Sequence, residues 1–255
     1  MIATFSLVST IATALLQAAL AEPTDTTRRS GCRTDFSVPF AVGERLTYDA
    51  YFGPIKAGVG TMEVVGREDV RGIDTWHTRF HVKGGIPLYR VETMLESWIS
   101  TECFHSVRFH QDQDVGEGER IRKVEIFPDR GVYKENEKAE VPTVSNPLDD
   151  GSFFYFVRTI DLEVGKTYTF DRYFRPDRNP VIIKVLKRDR VRVPAGTFNA
   201  IVVQPIIKSK GIFSEDGEAQ IWFSDDADRI MLQMKTKLKI GSLNLYLKSR
   251  PKKES

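Results

Sequence analysis

Residues 193–203 read VPAGTFNAIVV. Pro194, Ala195 and Gly196 stand between two strand-like runs, KVLKRDRVRV before and FNAIVVQPIIK after. A small glycine turn in such a place has two readings. It cradles a phosphate if a helix N-terminus comes after it. It reverses the chain if a second strand comes after it, with Gly196 supplying the positive φ that the connection needs. The run beyond Thr197 is β-branched, so the anion-site reading fails and the turn reverses the chain.

The same logic extends outward. Leu46, Tyr48, Ala50 and Phe52 alternate with Arg45, Thr47, Asp49 and Tyr51. Trp76, Thr78, Phe80 and Val82 alternate with His77, Arg79, His81 and Lys83, and Val91, Thr93, Leu95 and Ile99 continue the scheme. A period of two means half-buried strands. FPDRGVY (127–133), SEDGEA (214–219) and SDDADR (224–229) carry turn residues between such runs. In RIMLQMKTKLKIGSLNLYLKS (229–249), a two-residue loop at Gly241-Ser242 sets Ile240 opposite Leu243 and Leu238 opposite Leu245. Both apolar sets then share a face, with Lys235, Lys237 and Lys239 opposite.

One segment departs from this period. In NPLDDGSFFYFVRTID (146–161), Asp149, Asp150 and Ser152 are helix-start residues. Phe153, Phe156, Val157 and Ile160 lie at i, i+3, i+4 and i+7, which predicts a short helix of about 10 residues. Phe153, Phe154, Tyr155 and Phe156 are too many aromatics for one helix face. One set packs on the sheet and the other is a candidate lining for a cavity, with Trp98 as a further ligand-binding candidate. Residues 36–250 thus read as one domain that is mainly β: a curved antiparallel sheet or incompletely closed barrel of roughly ten or more strands around one short central helix.

The chain has 255 residues and a formal net charge of +2, so bulk charge gives no reason to expect a nucleic-acid partner. Residues 1–21, MIATFSLVSTIATALLQAALA, hold no charged side chain and end Ala-Leu-Ala. They read as a secretory signal, with an uncleaved anchor as the alternative that the polar residues within the stretch disfavour. Residues 22–35 read as a polar, flexible leader. Cleavage would leave no integral membrane span. Export permits Cys32 and Cys103 to pair, and two unpaired thiols are the other reading.

Four stretches together resemble a bacterial family of exported β-proteins known as domain of unknown function 3108. FAVGERLTYDAYFGPIKAGVGTMEV looks like its opening strands, and DDGSFFYFVRTIDLEVGKTYTF like its helix and return strand. VPAGTFNAIVVQP looks like its late hairpin, and IWFSDDADRIMLQMKTKLKIGSLNLYL like its closing meander. The likeness spans residues 36–250. It implies a shape similar to the periplasmic lipoprotein carriers, with a helix on the concave side, and it carries over no chemistry residue by residue.

Candidate chemistry is sparse. His77 and His81, with Arg79 between them, share one strand face, but their Cα atoms stand about 13 Å apart. A zinc site wants three or four convergent ligands, so a solvated polar face is the simpler reading and no metal is expected. His105 and His110 fall on opposite faces unless a bulge intervenes. Asp112, Asp114, Glu117 and Glu119 do not fit a calcium loop. Asp225, Asp226 and Asp228 sit in a turn. No nucleophile elbow, P-loop or dinucleotide fingerprint occurs, and no cofactor is expected. Lys and Arg interleave with apolar residues in KVLKRDRVRV, KTKLKI and ERIRKVEI. Such faces meet anionic lipid or glycan head groups, or they simply protect solubility and edges.

These features favour an exported, periplasmic or secreted, non-enzymatic protein. Its expected partner is an apolar or amphipathic envelope ligand (lipid, lipoprotein or glycolipid) or an envelope protein. A glycan hydrolase or lyase and a structural interaction module without a small ligand are the alternatives.

Overall fold

The computed structural model describes residues 37–86, 89–115, 118–208, 219–237 and 242–250. The signal segment, the leader and Cys32 lie outside them, as does most of the turn expected at 214–219.

Among the described residues, fourteen strands form a single sheet. The first eight are β1 (Arg45–Phe52), β2 (Ile55–Val70), β3 (Ile73–Ile86), β4 (Tyr89–Ser100), β5 (Ser106–Val115), β6 (Glu119–Phe127), β7 (Val132–Glu135) and β8 (Val141–Pro142). The helix α1 (Ser152–Arg158) comes next. The chain returns through β9 (Thr167–Phe170), β10 (Val181–Val193), β11 (Gly196–Ile206), β12 (Gln220–Ser224), β13 (Met231–Lys237) and β14 (Ser242–Ser249). The order across the sheet is β8 to β1 and then β14 to β9, all antiparallel where paired. Two meanders are therefore joined where the first strand pairs with the last. The two free edges, β8 and β9, are the strands that flank the helix in sequence. The sheet is not closed by a ladder. Leu148 and Tyr173 make one parallel bridge across the gap, with Leu148 N–H donating to Arg172 O and Phe174 N–H to Leu148 O.

The turn at Pro194–Gly196 is where it was expected: β10 ends at Val193, Val193 pairs with Gly196, and Gly196 has φ +136°. Pro128–Gly131 and Asp225–Ile230 likewise reverse the chain. Asp226 Oδ1 organises the second of these turns, accepting from the Ser224 hydroxyl and from the Asp228 and Arg229 N–H groups.

The last hairpin differs in register. Thr236 faces Leu243 and Met234 faces Leu245, four residues from the expected pairing of Leu238 with Leu245, and Gly241 of the expected loop lies outside the described residues. Leu238 and Ile240 fall outside the described residues. The inward set survives because the slip is an even number of residues, which leaves every side chain on its own face.

The helix also differs. It has 7 residues, and all of them are buried, not one stripe alone. A helix that is apolar all round belongs inside the fold. Phe154 stacks on Phe80 of β3 with ring centroids 4.9 Å apart, and the Tyr155 hydroxyl donates to Glu63 O of β2 at 2.8 Å. Phe156 meets Phe170 of β9 edge to face at 5.1 Å. The sheet curls far enough for both of its halves to reach one short helix.

Candidate functional site

The interior has two ends, set by strand direction. At one end lie the connections β2–β3, β4–β5, β6–β7 and β12–β13, together with the helix. At the other lie the β1–β2 turn and the C-terminal ends of β3, β5, β11 and β13.

The helix fills the first end. Asp149, fully buried, accepts through Oδ1 from the N–H groups of Gly151 (2.8 Å) and Ser152 (2.9 Å) and from the Ser97 hydroxyl of β4 (2.6 Å). Ser152 Oγ accepts from Asp149 N–H in return, a reciprocal cap. Burial pushes the Asp149 carboxyl up to about 6, against the hydrogen bonds that Oδ1 accepts. Its Oδ2 is buried without a hydrogen-bond partner. Asp150 accepts from the Tyr173 hydroxyl at 3.1 Å and lies 3.7 Å from Arg122. At the other helix end, the fully buried Arg158 guanidinium bonds both Glu44 oxygens (2.5 and 2.9 Å), Pro39 O and Asp228 O. Burial of such a cation is tolerable because all three nitrogens find acceptors.

The second end is different. Ala50, Phe52, Ala57, Val82, Gly84, Gly85, Val91 and Leu243 line a small apolar depression of about 10 Å³, room for about one water. Its floor is made by backbone. Gly58 pairs with Gly84, and a Cβ on either would come within 3.0 Å of the opposite strand's main chain. Two strands approach this closely only where neither carries a side chain.

The sequence candidates divide between places. Phe153, Phe154, Tyr155 and Phe156 are 7% exposed or less and pack into the core around the helix. None of them lines the open depression. Trp98 lies on the opposite, outward face of β4 and does not join them. It is in contact with His77, ring planes stacked at 4.4 Å, and its indole N–H donates to Glu68 at 2.7 Å.

The face carrying His77, Arg79 and His81 is not uniformly solvated. His77 is 6% exposed, held between Glu68 (2.8 Å) and Glu96 (3.1 Å). Arg79 pairs with Glu96, and His81 meets Glu92 at 3.3 Å. His110 packs edge-on against Trp98 at 4.9 Å, and burial lowers its pKa. The register slips at β5 between the partners of Trp98 and Ile99, the bulge that was the condition for regrouping His105 and His110. His105 nonetheless stays apart, in the turn before β5, buried, with its pKa lowered by burial. Among the described residues no group of three or more His, Cys, Asp or Glu is placed to hold a metal ion. No helix among them is long and apolar enough to cross a membrane.

The depression was missed in the sequence. A signal for it existed in the glycines inside strand runs, AGVG at 57–60 and KGG at 83–85, since glycine within a strand marks close approach of backbone or ligand.

Residues 47–248 match the family model of DUF3108, a protein of unknown function, and the chain belongs to that family. No curated protein matches the sequence. Among solved structures, the chain is similar to a β-barrel-like protein of the domain of unknown function DUF1849 from Brucella abortus. That match has a TM-score of 0.52 and 12% identity, over 84% of this chain and 98% of that one. It supports the fold. A protein from Bacteroides fragilis described as exported, with a YmcC-like fold, aligns at TM-score 0.31 and 10% identity over 85% and 99% of the two chains. A protein from Parabacteroides distasonis described as a lipoprotein aligns at 0.34 and 13% over 85% and 100%.

Proposed function

We propose that this protein is exported and binds the apolar part of an envelope lipid, lipoprotein or glycolipid in the depression at the end of the sheet away from the helix. The observation that carries the reading is the asymmetry of the interior. Aromatic side chains fill one end. The other is left open, lined without a charged group and floored by glycine backbone. The depression is far smaller than an ordinary ligand pocket, so it takes only the tip of a chain and leaves the polar head outside. Export is inferred from the apolar, uncharged residues 1–21. A carboxylate pair for cleaving glycans would have to face a cleft. Asp149 is instead spent on the helix cap and Asp150 on Tyr173.

The test is native mass spectrometry of the protein purified from the envelope of an exporting host, followed by solvent extraction. A stoichiometric lipid adduct is expected, and Val91→Trp, which fills the depression, should remove it. An adduct of equal occupancy on the Val91→Trp chain would place the ligand elsewhere. Clean apo mass for both would move weight to an interaction module without a small ligand.

A further inference from the structure

The two meanders differ in charge. Strands β1–β8 carry eleven Lys and Arg against twelve Asp and Glu. Cross-strand ion pairs such as Arg79–Glu96 and Arg108–Glu125 tie many of them together. Strands β9–β14 carry eight Lys and Arg against one acid, Asp189. The β10 contribution is Lys184, Lys187, Arg188, Arg190 and Arg192, and Lys235, Lys237 and Lys248 come from β13 and β14. The ERIRKVEI stretch falls in the balanced half, with Arg122 held by Glu135 and Glu125 by Arg108. Of the three basic runs in the sequence, KVLKRDRVRV and KTKLKI fall in the unbalanced half.

Register places four of these lysines on one face. Lys187 pairs with Val202, Val202 with Trp222, Trp222 with Gln233 and Gln233 with Tyr246. In the next row, Lys235 pairs with Asn244 and Asn244 with Tyr51. Lys184 and Lys237 lie on the same side, all of it opposite the inward Met234, Leu245 and Ala50. The four lysines are exposed. Among the described residues the face has two carboxylates, and both are engaged: Asp189 by the Trp222 indole (3.0 Å) and Lys187 (3.4 Å), Asp49 by Lys56 (2.9 Å). Beside the lysines, Tyr51 and Tyr246 pack edge to face at 5.4 Å, half-buried.

We propose that this outward face of β10–β14 docks the protein on a bilayer surface carrying anionic lipid. Lysines spread in two dimensions over a sheet match a plane of head-group charge, and tyrosine rings beside them suit the head-group depth. A single nucleic-acid strand asks instead for a groove with aromatic faces free to stack. Trp222, 5% exposed with Lys235 over its ring at 5.4 Å, offers none. This docking does not depend on what the open depression binds.

Vesicles of phosphatidylcholine with three-tenths phosphatidylglycerol, and of phosphatidylcholine alone, are sedimented with the purified chain at low salt. Partition onto the anionic vesicles alone is expected, lost as salt shortens the Debye length. At about 1 kcal/mol per surface lysine, Lys187→Gln with Lys235→Gln should weaken it about thirty-fold. The same charge change in the balanced half, Lys83→Gln with Lys134→Gln, should leave it within about two-fold. Circular dichroism checks that both variants fold. Equal binding to neutral vesicles, no binding to either, or an equal loss in the control pair would overturn the assignment. So would equally tight binding of duplex DNA at the same salt, which would mark a general polyanion surface. Val91→Trp should partition as the wild type does, so failure of the ligand reading leaves this result standing. Loss of vesicle binding in that variant would put the membrane contact in the depression and overturn the assignment.

Discussion

Replacing Asp149 by Asn separates the two things its carboxyl does. Asn keeps an oxygen where Oδ1 accepts from Gly151, Ser152 and Ser97, and it cannot ionise. Burial holds the Asp149 pKa at about 6, against an ordinary 3.8. The sign comes from linkage. Between those values the unfolded chain has lost the proton and the folded chain keeps it, so stability falls as pH rises through that window and levels off above it. Two pKa units correspond to roughly 3 kcal/mol for a fully buried group. The stability difference between Asp149→Asn and wild type should therefore swing by roughly that amount between pH 4 and pH 7, in favour of Asn at the higher pH. Other titrating groups are common to both proteins and cancel. Urea unfolding of the pair at pH 4, 5, 6 and 7 reads the difference directly. If the two curves run parallel across the window, the carboxyl titrates normally and its burial is compensated by a partner of Oδ2. That would refute the argument. Asp149→Ala serves as the contrast. It removes the cap and strands two N–H groups and a hydroxyl but cannot ionise either, so it should lie about 3 kcal/mol below Asp149→Asn at every pH.

Two further outcomes concern the sheet and the cysteines. Gly84→Ala would drive a Cβ into the Ala57 carbonyl, whereas a Cβ on Gly66 meets nothing within 4 Å. Thermal melts should show the first destabilised by about 3 kcal/mol and the second within about 0.5; equal melting points would dissolve the close-approach account of the depression's floor. Cys32 and Cys103 are expected to pair in the exported protein, closing a loop worth about 4 kcal/mol in the chain-entropy model. Intact mass before and after reduction, with alkylation, reads the two thiols, and alkylation without reduction would show them free.

The legible part of the sequence was local and periodic. Val193–Gly196 was legible because turn residues and strand runs agree there, and Tyr48 or Phe80 was legible because a period of two names its face. The register of the last hairpin was not. A period-two pattern is unchanged by an even slip, so Leu238 opposite Leu245 and Met234 opposite Leu245 satisfy it equally, and the glycine at 241 tipped the choice toward the shorter loop. The length of α1 was overread because Ile160 keeps the helical spacing, although the helix ends at Arg158, with Thr159 as its cap. The setting of His77 could not be read either. Glu68 and Glu96 lie 9 and 19 residues away and reach it only through strand pairing. Trp98 was grouped with the helix aromatics on residue type alone, and strand parity turns it to the other face.

The helix explains why the open end stays open. A sheet of fourteen strands with unpaired edges at β8 and β9 must cover both its interior and its gap. The chain does both with one connection, since residues 143–166 run between those edges and carry α1 inside. Seven residues at 1.5 Å rise span about 10 Å. β2 alone has 16 residues, about 50 Å when extended. One short helix cannot fill so long a sheet. Its three tethers, Asp149 to Ser97, Tyr155 to Glu63 and Arg158 to Glu44, fix it toward one end. At the other end glycine replaces side chains on β2 and β3, so strands approach and nothing projects to fill the space. Neither Gly58 nor Gly84 can take a side chain without pushing the two strands apart. They hold β2 against β3 at the end that the helix does not reach.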